Sequence, residues 1–144
     1  MKVASILKAK GTHVATIAPT ATVRTAVEQM RRQHIGSLVV SEDGNKIAGL
    51  IAEREVVHGL VEHAEQLLYR RVMDVMSPAV VTATSEDSLT KVMAQMTRYR
   101  ARHVPIVDAG RLVGLVSIGD VVKHRLDEME LEANVLRDAF LARQ

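Results

Sequence analysis

Gly114-Leu115-Val116-Ser117-Ile118-Gly119-Asp120 has an earlier counterpart in the same chain, Gly49-Leu50-Ile51-Ala52-Glu53-Arg54-Glu55. Each segment reads as an apolar strand end that runs into the start of a helix. Working outward from the pair, residues 14–57 lie over residues 80–122. Thr16 falls on Thr82, Gln29-Met30 on Gln95-Met96, Arg32 on Arg98, Gly44 on Gly110 and Val56-Val57 on Val121-Val122, with one residue deleted in the second copy's turn. A spacing of roughly 65 residues exceeds that of the common solenoid repeats, and two copies are too few for a stack. The better reading is a pseudo-two-fold pair sharing one core, which leaves two equivalent clefts between the copies as natural ligand sites.

The 144 residues make one domain's worth of chain, enough to bury roughly 68–70% of the surface exposed when unfolded. With 47% apolar and 25% charged residues the class is soluble and globular, and no apolar run approaches the roughly 18 residues of a membrane span. Val3-Ala4-Ser5-Ile6-Leu7 is too short for a secretory signal core. The absence of cysteine excludes disulfides and thiolate metal sites and fits a reducing cytoplasm. The isoelectric point is about 9.2, but a formal charge of +2 with one Phe, two Tyr and no Trp offers little to a nucleic acid. Such a partner needs a strong positive field or aromatic platforms for bases. The local cluster from Arg98 to His103 equally suits an anionic small molecule.

The hydrophobic pattern predicts a β-α-β-β-α unit, twice. In the first copy His13–Ile17 reads as a strand, and a helix carries Val23, Ala26, Val27 and Met30 and ends near His34. Ser37–Ser41 is a strand, Glu42-Asp43-Gly44-Asn45 a hairpin turn, Lys46–Ile51 the returning strand, and a helix starts at Glu53. In the second copy the order is strand Val80–Thr82, helix Leu89–Arg98, strand His103–Val107, turn Asp108-Ala109-Gly110, strand Leu112–Val116 and a helix from Ile118. Val72–Pro78 reads as a short helical turn in the linker, stopped by Pro78. The expected segments are residues 1–68 and 69–124 for the repeats and 125–144 for a helical extension. In that extension Val122, Leu126, Met129, Ala133, Leu136 and Phe140 step by 4, 3, 4, 3, 4, the spacing of a narrow apolar seam. The seam either meets a partner helix or folds back on its own domain.

Ser117 and Asp120 stand at the spacing of a capping box. The same geometry also suits a ligand, because helix-start amides attract phosphate and a carboxylate one turn in accepts both hydroxyls of a ribose. Catalytic equipment is thin. Gly114 and Gly119 are wrongly spaced about Ser117 for a nucleophile elbow, and the six histidines include no i, i+4 pair and no zinc-binding His-Glu-x-x-His. Neither a Walker loop nor Gly-x-Gly-x-x-Gly occurs, so no enzyme, metal or catalytic cofactor is expected. The methionines read as adaptable core fillers.

The Gly-hydrophobic-hydrophobic-Ser-x-x-Asp pattern, its tandem occurrence, the Val72–Pro78 segment and His103-Val104-Pro105-Ile106-Val107-Asp108 resemble the cystathionine-β-synthase (CBS) domain family. Its units pair as Bateman modules, and the chain is similar in particular to small stand-alone bacterial CBS pairs. The resemblance covers residues 1–124 and implies a mixed α/β (α+β) fold, a flat homodimer, and adenine-nucleotide binding between the repeats. Carried over, it walls a first cleft with Val14, Ala15, Ile35, Gly36, Ser37 and Leu38, sets Ser117 and Arg102 toward phosphate, and sets Asp120 toward ribose. A second cleft would use Val80, Val81, Ala101, Arg102, His103 and Val104 with Arg54 and Glu55. There Ala52 stands for the hydroxyl and Glu55 for the aspartate, so weaker or different binding is expected. Lys10 is a minor phosphate candidate.

The resulting expectation is a cytoplasmic regulatory sensor of AMP, ADP, ATP or NAD, acting through dimer geometry or a separate protein effector. Its rivals are a homodimeric interaction module with degenerate clefts and, more remotely, a nucleic-acid binder.

Overall fold

The computed structural model describes residues 1–79 and 81–143; Val80, expected in the second cleft, lies outside the described residues. The fold is mixed α+β, built of two small sheets flanked by helices.

In the first repeat, β1 (Thr16–Ile17) pairs parallel with β2 (Ser37–Val40), and β2 pairs antiparallel with β3 (Gly49–Ala52), Ser37 facing Ala52. Both strands flanking the 41–48 loop are shorter than the periodicity predicts. Ser41 and Asp43 account for this, because their side chains take up local backbone groups at Gly44, Asn45 and Lys46 that would otherwise extend the ladder. In the second repeat β4 (His103–Asp108) pairs antiparallel with β5 (Arg111–Ser117). Their turn is tight because Ala109 and Gly110 both adopt positive φ, 49° and 75°, the two-residue geometry that matches strand twist. The strand expected at 80–82 is reduced to a single parallel bridge, Ala83 to Ile106, held by Ala83 N–H to Pro105 O and Val107 N–H to Ala83 O. Val81 and Ala83 are nonetheless buried around exposed Thr82, as in a strand with one face on the core.

The helices match the 3.6-residue pattern. Helix α2 (Val23–Gln33) starts where the Thr22 hydroxyl accepts the Thr25 amide, and α5 (Leu89–Tyr99) starts likewise at Ser88 with Lys91. They bury Val23, Ala26 and Met30, and Leu89, Val92 and Met96; each large side chain so buried is worth about 1.5–3 kcal/mol. Helix α3 (Glu53–His63) leads through a 3-10 turn (Ala64–Tyr69) to the linker helix α4 (Val72–Val75).

The cores do not follow the order of the chain. Helix α1 (Val3–Lys10) puts Val3, Ile6 and Leu7 among Val92, Val104, Ile106 and Val116 of the second repeat, whereas Val72 of α4 lies among Ile17, Leu38, Val40 and Ile51 of the first. The two helices dock alike. Val3 N–H reaches Asp87 O and Leu89 N–H reaches Met1 O, while Val72 N–H reaches Ala21 O and Val23 N–H reaches Arg70 O. Both motif glycines make room for these incoming segments. A Cβ on Gly49 would lie 2.6 Å from the Ser77 carbonyl oxygen, and one on Gly114 would overlap Leu7.

Helix α6 (Ile118–Ala142) buries Val121, keeps His124, Arg125 and Glu128 half-buried against the body, and is exposed from Met129 onward. Val122, Leu126, Met129, Leu136 and Phe140 are exposed, so the seam does not fold back onto its own domain.

Candidate ligand clefts between the repeats

One cleft is framed by the first repeat's strand-to-helix motif and the second repeat's helix-to-strand turn. The turns follow α2 and α5, which end in left-handed residues, His34 (φ 54°) and Arg100 (φ 52°). That sharp reversal feeds residues 35–38 and 101–104 directly into β2 and β4. The motif helices are anchored across it: Glu53 N–H donates to Gly36 O and Ile118 N–H to Arg102 O.

At the second motif both halves of a capping box form. Asp120 N–H donates to Ser117 Oγ (3.1 Å), and Ser117 N–H donates to Asp120 Oδ2 (2.9 Å). The helix-start amides of Ile118 and Asp120, expected to be open to an anion, therefore have protein partners. Lys10, at the end of α1, reaches across 110 residues of sequence to Asp120 Oδ2 at 2.7 Å and to Leu115 O at 2.8 Å. Partial burial pushes the Asp120 carboxyl up, but the Lys10 ammonium and the Ser117 amide and hydroxyl outweigh it and hold the group below its ordinary value. Of the walls assigned to this cleft, Ser37 and Leu38 are buried in β2, and Val14, Ala15, Ile35 and Gly36 are half-buried.

At the first motif Ala52 offers no capping hydroxyl, and Glu55 closes half a box by accepting the Ala52 amide at 3.0 Å. Its other carboxylate oxygen accepts the Ser77 hydroxyl at 2.9 Å. Ser77, read from sequence only as part of the linker, thus supplies an O–H beside the acid. Its hydroxyl comes from the linker while the helix cap itself stays empty.

Beside Glu55 opens a cleft of about 380 Å³, lined by Arg54, Arg100, Arg102, His103, Ala101 and Val81 among others. This is large enough for a small-molecule ligand. The structure brings together here every described residue assigned to the second cleft except Val104, which is fully buried in β4. It adds Tyr99 and Arg100, from the basic cluster read as suited to an anion but not assigned to this cleft, and Ser77, read only as part of the linker. Arg54, Arg100 and Arg102 are exposed, so their guanidinium groups are available to an anion.

His103 opens β4 opposite Ser117 and lies between the two acids. Burial pushes its pKa down; Glu55 and Asp120 pull it up, Lys10 and Arg102 push it down, and the balance is downward. The imidazole is therefore neutral at neutral pH. Among the described residues no cluster of His, Asp or Glu could hold a metal ion, and no helix is long and apolar enough to cross a membrane.

Comparison with known proteins returns one family model, the CBS domain, over residues 6–62 and 72–127. A crystal structure of a CBS-domain containing protein from Agrobacterium tumefaciens superposes with a TM-score of 0.82 at 33% identity, covering 87% of this chain and 99% of that one. The mitochondrial CBS domain-containing protein CBSX3 of Arabidopsis thaliana is 32% identical over 123 residues, 79% of this chain. This chain spans 60% of the length of CBSX3. The CBS domain pair of protein MJ0100, in complex with 5′-methylthioadenosine and S-adenosyl-L-methionine, shares the fold with a TM-score of 0.77 at 21% identity, covering 89% of this chain and 98% of that one.

Proposed function

The chain belongs to the CBS domain family, as a tandem pair of repeats, and from that premise we propose that it is a cytoplasmic regulatory module that binds an adenine nucleotide between its repeats. The observation that carries the reading is the cleft of about 380 Å³ in which a carboxylate, Glu55, stands among Arg54, Arg100 and Arg102. A ribose diol needs an acceptor such as Glu55, and a phosphate needs the guanidinium groups. Aliphatic and backbone groups near Val81 and Ala101 suffice for a base that is not stacked. Sequence set the Ser117–Asp120 cleft first; the open Glu55 cleft is now the better first site, because the acid of the other is already paired with Lys10. The adenosine moiety shared by both ligands of the MJ0100 pair supports the same class. AMP, ADP, ATP and NAD all contain it.

The output is a change in how two copies sit against each other or against a separate effector, driven by a ligand with different affinity for the two arrangements. Pairing of copies is supported by the exposed apolar face of α3, with Val57, Leu60 and Val61, beside a groove of about 670 Å³ that also takes in Val27 and Met30 of α2. That same face favours the second reading, an interaction module whose clefts hold no ligand.

Calorimetry with AMP, ADP, ATP and NAD separates the two. Saturating nucleotide, at one hundred times its dissociation constant, stabilises the fold by about 2.7 kcal/mol, and Glu55→Ala removes that gain while leaving the melting temperature of the free protein within a few degrees. Absence of heat and of thermal shift with all four at millimolar concentration leaves only the interaction module. Loss of binding in Asp120→Ala but not in Glu55→Ala moves the ligand to the other cleft.

A further inference from the structure

We infer that the free part of α6 is a parallel two-stranded coiled coil with the same helix of a second copy. This rests on the pairing of copies proposed above and specifies its direction. The seam is unpartnered along its length, with Val122 46%, Met129 49% and Phe140 64% exposed, and it spans about 27 Å at 1.5 Å per residue. A shorter stripe on the other side, Leu131, Val135 and Ala139, continues the line on which Val121 enters the core.

The choice of occupant comes from charge. With Leu126, Ala133 and Phe140 at heptad positions a, and Val122, Met129 and Leu136 at d, the flanking g positions are Arg125 and Glu132. The flanking e positions are Lys123, Glu130 and Arg137. Parallel helices oppose g to the next e of the other strand. Arg125 then meets Glu130 of the second copy and Glu132 meets Arg137, each twice by symmetry. Antiparallel helices with every seam layer filled are centred on Leu131, and they oppose g to g and e to e. Glu130 then meets Glu130, Glu132 meets Glu132, and Lys123 meets Arg137, so every charged pair is repulsive. The Arg125 guanidinium already lies along this side of the helix, in contact with Glu128 and 3.7 Å from Glu132. Glu130 and Glu132 are thus matched by basic residues of a second copy in one orientation only.

The chain has no cysteine, so single replacements report the pairing cleanly. Leu126→Cys and Leu136→Cys, each oxidised alone in the full chain, are expected to give a covalent species of about twice 15.8 kDa, because parallel strands bring identical positions together. Cross-linking only when the two variants are mixed shows an antiparallel seam and overturns the inference. A dimer by light scattering that cross-links in neither experiment also overturns it and leaves pairing through α3. A monomer removes the pairing itself. Independently, Glu132→Arg is expected to weaken dimerisation about tenfold, and adding Arg137→Glu restores it; failure of the double variant to recover overturns the register. Both variants change exposed helix positions outside the clefts, so nucleotide binding is unaffected, and a negative nucleotide titration leaves this inference standing.

Discussion

Asp120 and Glu55 occupy equivalent places in the two repeats, yet one is held by an ammonium and the other by a hydroxyl. Lys10 arrives from α1 and neutralises Asp120, whereas Ser77 arrives from the α4 linker and only donates a hydrogen bond to Glu55. The two incoming segments dock by matching backbone bonds, so the duplicated scaffold has stayed the same while the group at its tip has changed. Charge therefore distinguishes the two acids. The side that lost its capping hydroxyl kept an unpaired negative charge and gathered arginines around it, and the side that kept the full cap spent its acid on a lysine. The two repeats differ both in the motif, at Ala52 and Glu55 against Ser117 and Asp120, and in the long-range partner that each acid meets.

The strongest test of this symmetry is Ile6→Ala. Its side chain is fully buried in the second repeat's core, so a cost of about 3 kcal/mol is expected. Hydrogen exchange should show the loss in β4 and β5 ahead of β2 and β3; equal loss in both sheets would break the crossed arrangement of cores. Next in size, Gly49→Ala is expected to cost about 2–3 kcal/mol, because its Cβ would press on a backbone oxygen, and Gly114→Ala about 1 kcal/mol, because a leucine tip can turn aside. Denaturant midpoints that rank the two in reverse would mean Leu7 is the more rigid neighbour.

Acid titration gives a smaller effect with two separate windows. The folded pKa of His103 is lowered, so the unfolded chain binds more protons and stability falls as pH drops below about 6.5. The folded pKa of Asp120 is lowered too, and its contribution is present above about 3.9 and lost as pH falls further, through the folded value. His103→Gln should flatten the first slope and Asp120→Asn the second, read from urea unfolding at a series of pH values. Smallest is Ala52→Ser, which restores the missing cap of α3 and should add about 0.5–1 kcal/mol. No gain would show that the Ser77–Glu55 bond already fills that role.

The sequence carried the repeat, the unit and most of the elements, because these depend on local periodicity and on turn residues such as Asp108-Ala109-Gly110. Arg54, Glu55, Val81, Ala101, Arg102 and His103, grouped from sequence, do line one cleft together. What it could not convey were contacts whose partners are far apart in the chain. The Lys10 ammonium sits on Asp120, 110 residues away, and the Ser77 hydroxyl on Glu55, 22 residues away, and neither pairing has a local pattern to announce it. The strand at 80–82 was misjudged for a related reason. Burial of Val81 and Ala83 follows from residue type, but the segment meets β4 only at Ala83, and where two strands come within bonding distance is decided by the rest of the fold.

The docking of α1 has a consequence for how the protein is made. A ribosome makes Val3, Ile6 and Leu7 ahead of both sheets, while their seats in β4 and β5 emerge about a hundred residues later, after roughly five to twenty seconds of translation. The first repeat can close on α4 meanwhile, but the leading helix must wait with its apolar face uncovered. The second repeat is thus completed by a segment synthesised before the first repeat.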